Sequence, residues 1–221
     1  MIQITKIKNG CNCYIIENDG EGVLIDTGLS KGKNKIVDAC QEKNIKLIIL
    51  THGHMDHIQC ANYISKALAA PILMHEKDLE LISNNLCQDM KGRMIMGKIL
   101  SFFSKLGAKY TTIERFEPQN IINSDTTIHE CGIDIEIMEL PGHTRGSIGI
   151  KIEEHFFVGD ALMHMIRPGI SLLYENWDDL FESAKKITNV ACTTIHFGHG
   201  NEVKNPPFFQ VLTLLLTANN Y

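Results

Sequence analysis

The sequence predicts an α/β fold built from two similar halves. Three observations predict it. Short β-rich runs alternate with segments of helical spacing, the order of strands, helix and strand occurs twice, and no Pro/Gly/Ser-rich linker separates the halves. Of the 221 residues, 44% are hydrophobic and 21% charged, enough for one sizeable core-bearing unit over 1–221 and unlike a disordered or fibrous chain.

In the first half, 2–8, 12–18 and 22–28 read as strands, because IQITKIK, NCYIIEN and GVLIDTG are rich in β-branched residues and bounded by Gly, Asn and Asp. Residues 33–43 have helical spacing, and 45–50 (IKLIIL) is the continuous apolar run of a strand covered on both faces. Residues 60–69 suit a helix that Pro71 ends. In the second half, 133–140, 147–153, 155–160 and 192–198 read as strands and 176–187 as an amphipathic helix, with a closing helix starting at Pro206 and Pro207. Between the halves, 84–109 reads as a Met-rich helical insertion with Met90, Met94, Met96, Phe102 and Phe103, weakened at Gly92, Gly97 and Gly107. Two roles fit it equally: a movable apolar cap over a substrate pocket, or a connecting helix packed on the core.

Lys and Arg number 21 against 26 Asp and Glu, a net charge of −5. With only four Arg, the chain lacks the basic surface that phosphate backbones demand, so no nucleic-acid partner is expected. No apolar run approaches the ~18 residues that span a bilayer, so no membrane partner is expected. The start, MIQITKIKNG, lacks the apolar stretch of a secretory signal, and a cytoplasmic location follows as the expectation. Seven scattered Cys without zinc-ribbon spacing fit a reduced compartment, and Cys11 and Cys13 read as buried strand residues before a metal or redox pair.

The chemistry begins directly after the 45–50 strand. THGHMDH places His52, His54, Asp56 and His57 within six residues, four metal-donor side chains at the end of a buried strand. In an extended loop, His52 and His54 can point one way while Asp56 and His57 turn toward a second position, so one loop can feed two ions. Completing two such sites takes donors from elsewhere. His143 in PGHT, Asp160 in VGDA and His199 in FGHG each follow a predicted strand and are flanked by Gly. His75, His129, His155, His164 and His196 read as hydrogen-bonding or surface residues, Arg145 as solvated or structural, and Tyr174 as packing.

DTG at 26–28, THGHMDH, LPGHT, GD at 159–160 and GHG at 198–200 together resemble the five ordered motifs of the metallo-β-lactamase fold superfamily, over nearly the whole chain. NCYIIEN, GVLIDTG and LPGHTRGSIGI are further similar to its hydroxyacylglutathione hydrolase (glyoxalase II) branch. The resemblance implies a four-layer αββα sandwich. It also implies that His52, His54 and His143 hold one metal, that Asp56, His57 and His199 hold a second, that Asp160 bridges both, and that Asp26 supports a ligand imidazole from behind. The cofactors so implied are two divalent ions, zinc first, with iron or manganese accepted by the same donors.

The expected activity is dinuclear metal-dependent hydrolysis, in which a metal-bound hydroxide attacks a thioester, ester or lactone carbonyl, with Asp56, Asp160 and Asp26 as the acidic residues that matter. Alternatives are phosphodiester hydrolysis in the same fold or a di-iron redox or sensing module. The expected partner is a small-molecule substrate, and a homodimer is compatible with the sequence.

Overall fold

The computed structural model describes residues 2–204. Its first sheet runs in the order Gln3–Asn9, Cys11–Asn18, Glu21–Ile25, Asn44–Ile49, Ile72–His75 and Asn120–Ile122. The first three strands are antiparallel and the rest join in parallel. The second sheet runs Val203–Lys204, Thr194–His196, His155–Phe157, Ile148–Ile152, Ile133–Glu139 and Thr126–Glu130.

Side-chain alternation along the strands builds three apolar cores. In Cys11–Asn18, Cys11, Cys13 and Ile15 point to one face while Tyr14 and Ile16 point to the other. The first set packs with Ile36 and Cys40 of helix α1 (Lys33–Cys40), Ile58 of the single turn α2 (Met55–Ile58), and Ala61 and Ile64 of α3 (Ala61–Leu68). The second set meets Ile135, Ile137, Ile148, Ile150 and Phe157 of the opposite sheet. A short helix α4 (Leu79–Ser83) and a long one, α5 (Met94–Tyr110), follow in the chain. On the far side, Leu180, Ala184 and Ile187 of α6 (Trp177–Thr188) close over Phe156, Ile195 and Phe197. Helix, sheet, sheet and helix thus form the four-layer sandwich. Asn176 caps α6 by accepting the backbone N–H groups of Asp178 and Asp179, with those two acids in its first turn and Lys185 and Lys186 in its last.

Two expectations change. The strand expected over 22–28 stops at Ile25, because Asp26 turns to φ +59° and leaves the sheet. The helix expected over 84–109 begins only at Met94; the segment before it holds a two-residue strand, Lys91–Gly92, and Asn85 folds back to accept Met55 N–H and donate to Gly53 O. The two-residue strand pairs with Leu173–Tyr174, and a second small hairpin joins Leu162–His164 to Pro168–Ile170. The closing helix expected from Pro206 and Pro207 lies outside the described residues.

Candidate metal centre

Each predicted donor sits just past the end of a strand, where main-chain hydrogen bonding stops and side chains converge. THGHMDH follows Asn44–Ile49, His143 follows Ile133–Glu139, Asp160 follows His155–Phe157 and His199 follows Thr194–His196. All seven come together. His52, His54 and His143 place donor atoms within 4.8 Å of one another, and so do Asp56, His57 and His199. A third group of the same tightness, His52, His57 and Asp160, links the two. Asp160 Oδ2 lies 3.6 Å from His143 Nε2 and 3.4 Å from His199 Nε2, while its Oδ1 lies 3.7 Å from His57 Nε2. Gly198 is required beside it, since a Cβ there would stand 2.1 Å from Asp160 Oδ1. Gly142, at φ +124°, lets the loop before His143 turn where a Cβ would strike the Leu180 backbone at 2.0 Å.

The imidazoles are aimed by partners behind them. His57 Nδ1–H donates to Asp26 Oδ2 at 2.8 Å, and His143 Nδ1–H donates to Leu173 O at 2.9 Å. His52 Nδ1–H donates to Thr51 Oγ1 at 3.1 Å, and that hydroxyl donates in turn to Asp26 Oδ2 at 2.8 Å. Asp26 therefore orients two imidazoles, one in each triad, and the sequence reading foresaw only one. In each case the opposite nitrogen is left facing the cluster, the arrangement by which proteins fix a ligand's tautomer. The left-handed backbone of Asp26 is held by this use of its carboxylate, whose Oδ1 also accepts Thr51 N–H.

Protonation differs between the two triads. Burial, followed by the neighbouring His143 imidazole, holds His54 down at about 3, and burial holds His143 down at about 4. Both rings are therefore neutral donors at pH 7. His52 is lowered by burial and by the surrounding imidazoles. His57 goes the other way. Burial lowers it, but Asp26, Asp56 and Asp160 outweigh that and push it up to about 10, a measure of how much negative charge converges on this point. Asp56 is held below the usual carboxylate range: burial raises it, and His57 and His199 overcome burial.

Among the described residues, His52 Nε2, His57 Nε2 and Asp160 Oδ1 are buried without a hydrogen-bond partner. Three such atoms in one cluster would each cost ~1 to 3 kcal/mol in a site made only of protein, whereas a cation satisfies all three together. The donor set of nitrogens and carboxylate oxygens fits a divalent metal.

One supporting residue is invisible in sequence. Asp78 is fully buried and its carboxylate accepts from Gly53 N–H (2.8 Å), Gly146 N–H (2.7 Å), Thr144 Oγ1–H (2.6 Å) and Gln88 Nε2–H (3.1 Å). Gly53 separates His52 from His54, and Thr144 follows His143, so one carboxylate ties together the two loops that carry the first triad. Burial raises its pKa against those four hydrogen bonds. Of the other candidates, His75 is buried against Glu139, His196 stacks on Phe157, and Arg145 pairs with Glu80 and Glu175 at the surface. Tyr174 packs edge-on against Trp177. Cys11 and Cys13 are both buried, with sulfurs 3.8 Å apart. Cys11 lies behind Asp26 and His57, and burial with Cys13 pushes its thiol well up, leaving it neutral.

A cavity of about 190 Å³ opens beside the cluster, lined by His54, Asp56, His143, Asp160 and His199 together with Met90, Leu100, Met163, Met165 and Leu173. Helix α5 forms part of its wall, though not with the residues expected. Leu100, Ser104 and Ala108 line the cavity, whereas Met94, Met96, Phe102 and Phe103 are all exposed. The helix turns its small residues inward because it packs closely: a Cβ on Gly97 would lie 2.7 Å from Leu172 O.

Four sandwich layers with a buried His/Asp cluster at the strand ends define a class of α/β sandwich proteins equipped to bind metal. The chain belongs to the metallo-beta-lactamase superfamily, whose family model matches residues 8–199. It is 26% identical over 198 residues to hydroxyacylglutathione hydrolase 1 of Vibrio vulnificus, an alignment covering 88% of this chain and 64% of that one. Among solved structures, it is similar to the BLEG-1 B3 metallo-beta-lactamase at a TM-score of 0.72 and 20% identity, covering 91% of this chain and 94% of that one. It is also similar to TTHA1623 in a di-iron-bound form, at a TM-score of 0.65 and 22% identity, covering 93% and 99% of the two chains.

Proposed function

We propose that the protein is a dinuclear metal hydrolase that cleaves the acyl bond of a thioester, ester or lactone. The observation that carries this reading is the position of Asp160, within 3.4 to 3.7 Å of nitrogens from both triads. In this reading His52, His54 and His143 would hold one ion and Asp56, His57 and His199 the other, with the Asp160 carboxylate available to both triads. When bound, such a pair supplies a water nucleophile at neutral pH and a Lewis acid for the carbonyl oxygen. Zinc suits the His-rich set, and iron or manganese would accept the same donors.

The chain's own residues then set geometry and selectivity. Asp26 and Thr51 fix the facing nitrogens of His52 and His57. Asp78 keeps the His52, His54 and His143 loops in register. The cavity wall supports an acyl over a phosphodiester substrate, because Met90, Leu100, Met163, Met165 and Leu173 line it and, among the described residues, no Lys or Arg does. A panel of acyl thioesters, lactones and an activated phosphodiester tests this on metal-loaded protein. The expected result is turnover of an apolar acyl thioester or lactone ahead of the phosphodiester; the reverse order, or reductant-dependent oxygen consumption without hydrolysis, contradicts it.

The wall gives a sharper test. Ser104→Phe is expected to raise KM for long acyl substrates about tenfold or more while metal content stays constant, since it fills a cavity of this size. Met94→Ser, on the outer face of the same helix, is expected to leave both unchanged.

A further inference from the structure

Helix α5 presents three stripes. Gly97, Ser101, Ser104 and Ala108 face the protein, Lys98, Lys105 and Lys109 form one flank, and Ile95, Ile99, Phe102 and Leu106 face outward. Among the described residues the outer stripe is exposed: Ile95 is 79% and Phe102 64% exposed. A second apolar ridge stands at the tip of the Leu162–His164 and Pro168–Ile170 hairpin, where Met165 is exposed, Ile166 is 87% exposed, and Arg167 follows. Both ridges belong to elements that wall the cavity, through Leu100 and Ser104 on one side and Met163 and Met165 on the other.

We infer that α5 and this hairpin tip form a docking surface for an anionic lipid bilayer. Charge complementarity selects this occupant. In a chain of net charge −5, α5 carries three lysines and no acidic residue. Lys105 is already paired with Asp89, whereas Lys98 and Lys109 have no acidic partner among the described residues. A second copy docked antiparallel through the same helix would bring lysines to lysines. An outward stripe of Ile, Phe and Leu beside a row of Lys is the pattern of a helix lying in the lipid interface, with its apolar side chains among the acyl chains and its lysines at the headgroups. No helix among the described residues is long and apolar enough to cross a membrane, so the contact is peripheral. Docked in this way, the two elements that wall the cavity meet the lipid first.

The inference does not depend on the hydrolase reading, because partition requires no turnover. The test is flotation of the full-length, metal-loaded protein with vesicles of phosphatidylcholine alone and of phosphatidylcholine with phosphatidylglycerol. Partition is expected onto the anionic vesicles only, weakening with salt. Lys98→Gln and Lys109→Gln should each reduce it about fivefold. Phe102→Ser and Ile166→Ser should reduce it about tenfold or more, with thermal stability and metal content unchanged. Ile121→Ser, an exposed apolar position on the Asn120–Ile122 strand, should leave partition as it was. Absence of partition onto either vesicle, or partition insensitive to the α5 and hairpin variants, would overturn the inference. So would sedimentation showing a dimer that Phe102→Ser dissociates.

Discussion

Asp160→Ala is expected to abolish hydrolysis, lowering kcat/KM by about a thousandfold or more, whereas Asp26→Ala costs about 10 to 100-fold. The difference follows from position. Asp160 approaches nitrogens of both triads and supplies negative charge between them, so its loss removes a contribution of several kcal/mol to holding and balancing the pair. Asp26 touches no substrate and acts through His57 directly and through Thr51 to His52, and loss of such an orienting partner typically weakens metal affinity or activity by one to two decades. Because it serves one imidazole in each triad, Asp26→Ala should lower affinity for both ions, and excess metal should restore part of the activity. Steady-state kinetics across a metal titration checks both variants. Equal, mild losses in the two would contradict the assignment of Asp160.

The largest stability effect is expected at Asp78. Its four donors come from Gly53, Gln88, Thr144 and Gly146, all on segments that meet only in the folded state. Asp78→Ala leaves those donors buried without an acceptor and should cost about 3 to 5 kcal/mol, the range for breaking a buried charged network by removing one member. The loops bearing His52, His54 and His143 loosen together, so one ion should bind more weakly than the other. Denaturant unfolding of metal-free protein measures the first effect, and competitive chelation of loaded protein measures the second. A stability change below about 1 kcal/mol would show that the network is not the tie between those loops.

The sequence made the donors legible because each carries a local signature. His52, His54, Asp56 and His57 are contiguous, and His143, Asp160 and His199 sit beside glycines at the ends of apolar runs. What holds them is legible only in three dimensions. Asp78 stands in EKDLEL, an ordinary helical turn, and its partners lie 10 to 68 residues away in the chain. Thr51 is one residue from His52, but its relay to Asp26 appears only once the first sheet brings Ile25 beside Ile49. The short strands Asn120–Ile122 and Thr126–Glu130 escaped reading because they are edge strands with much exposed polar surface, which blurs alternation. Helix α5 was placed but its inner face was not. Apolar residues are expected inward, and here the close approach of Leu172 O leaves no room for a side chain at Gly97, while Met94, Met96 and Phe103 lie on the outside.

The central claim is a two-ion site assembled from seven side chains, and counting ions tests it most directly. Elemental analysis of protein purified without added metal, alongside His57→Ala and His199→Ala, is predicted to find close to two divalent ions per chain in the parent and a fall toward one in each variant. One ion per chain in the parent, unchanged by either substitution, would contradict it.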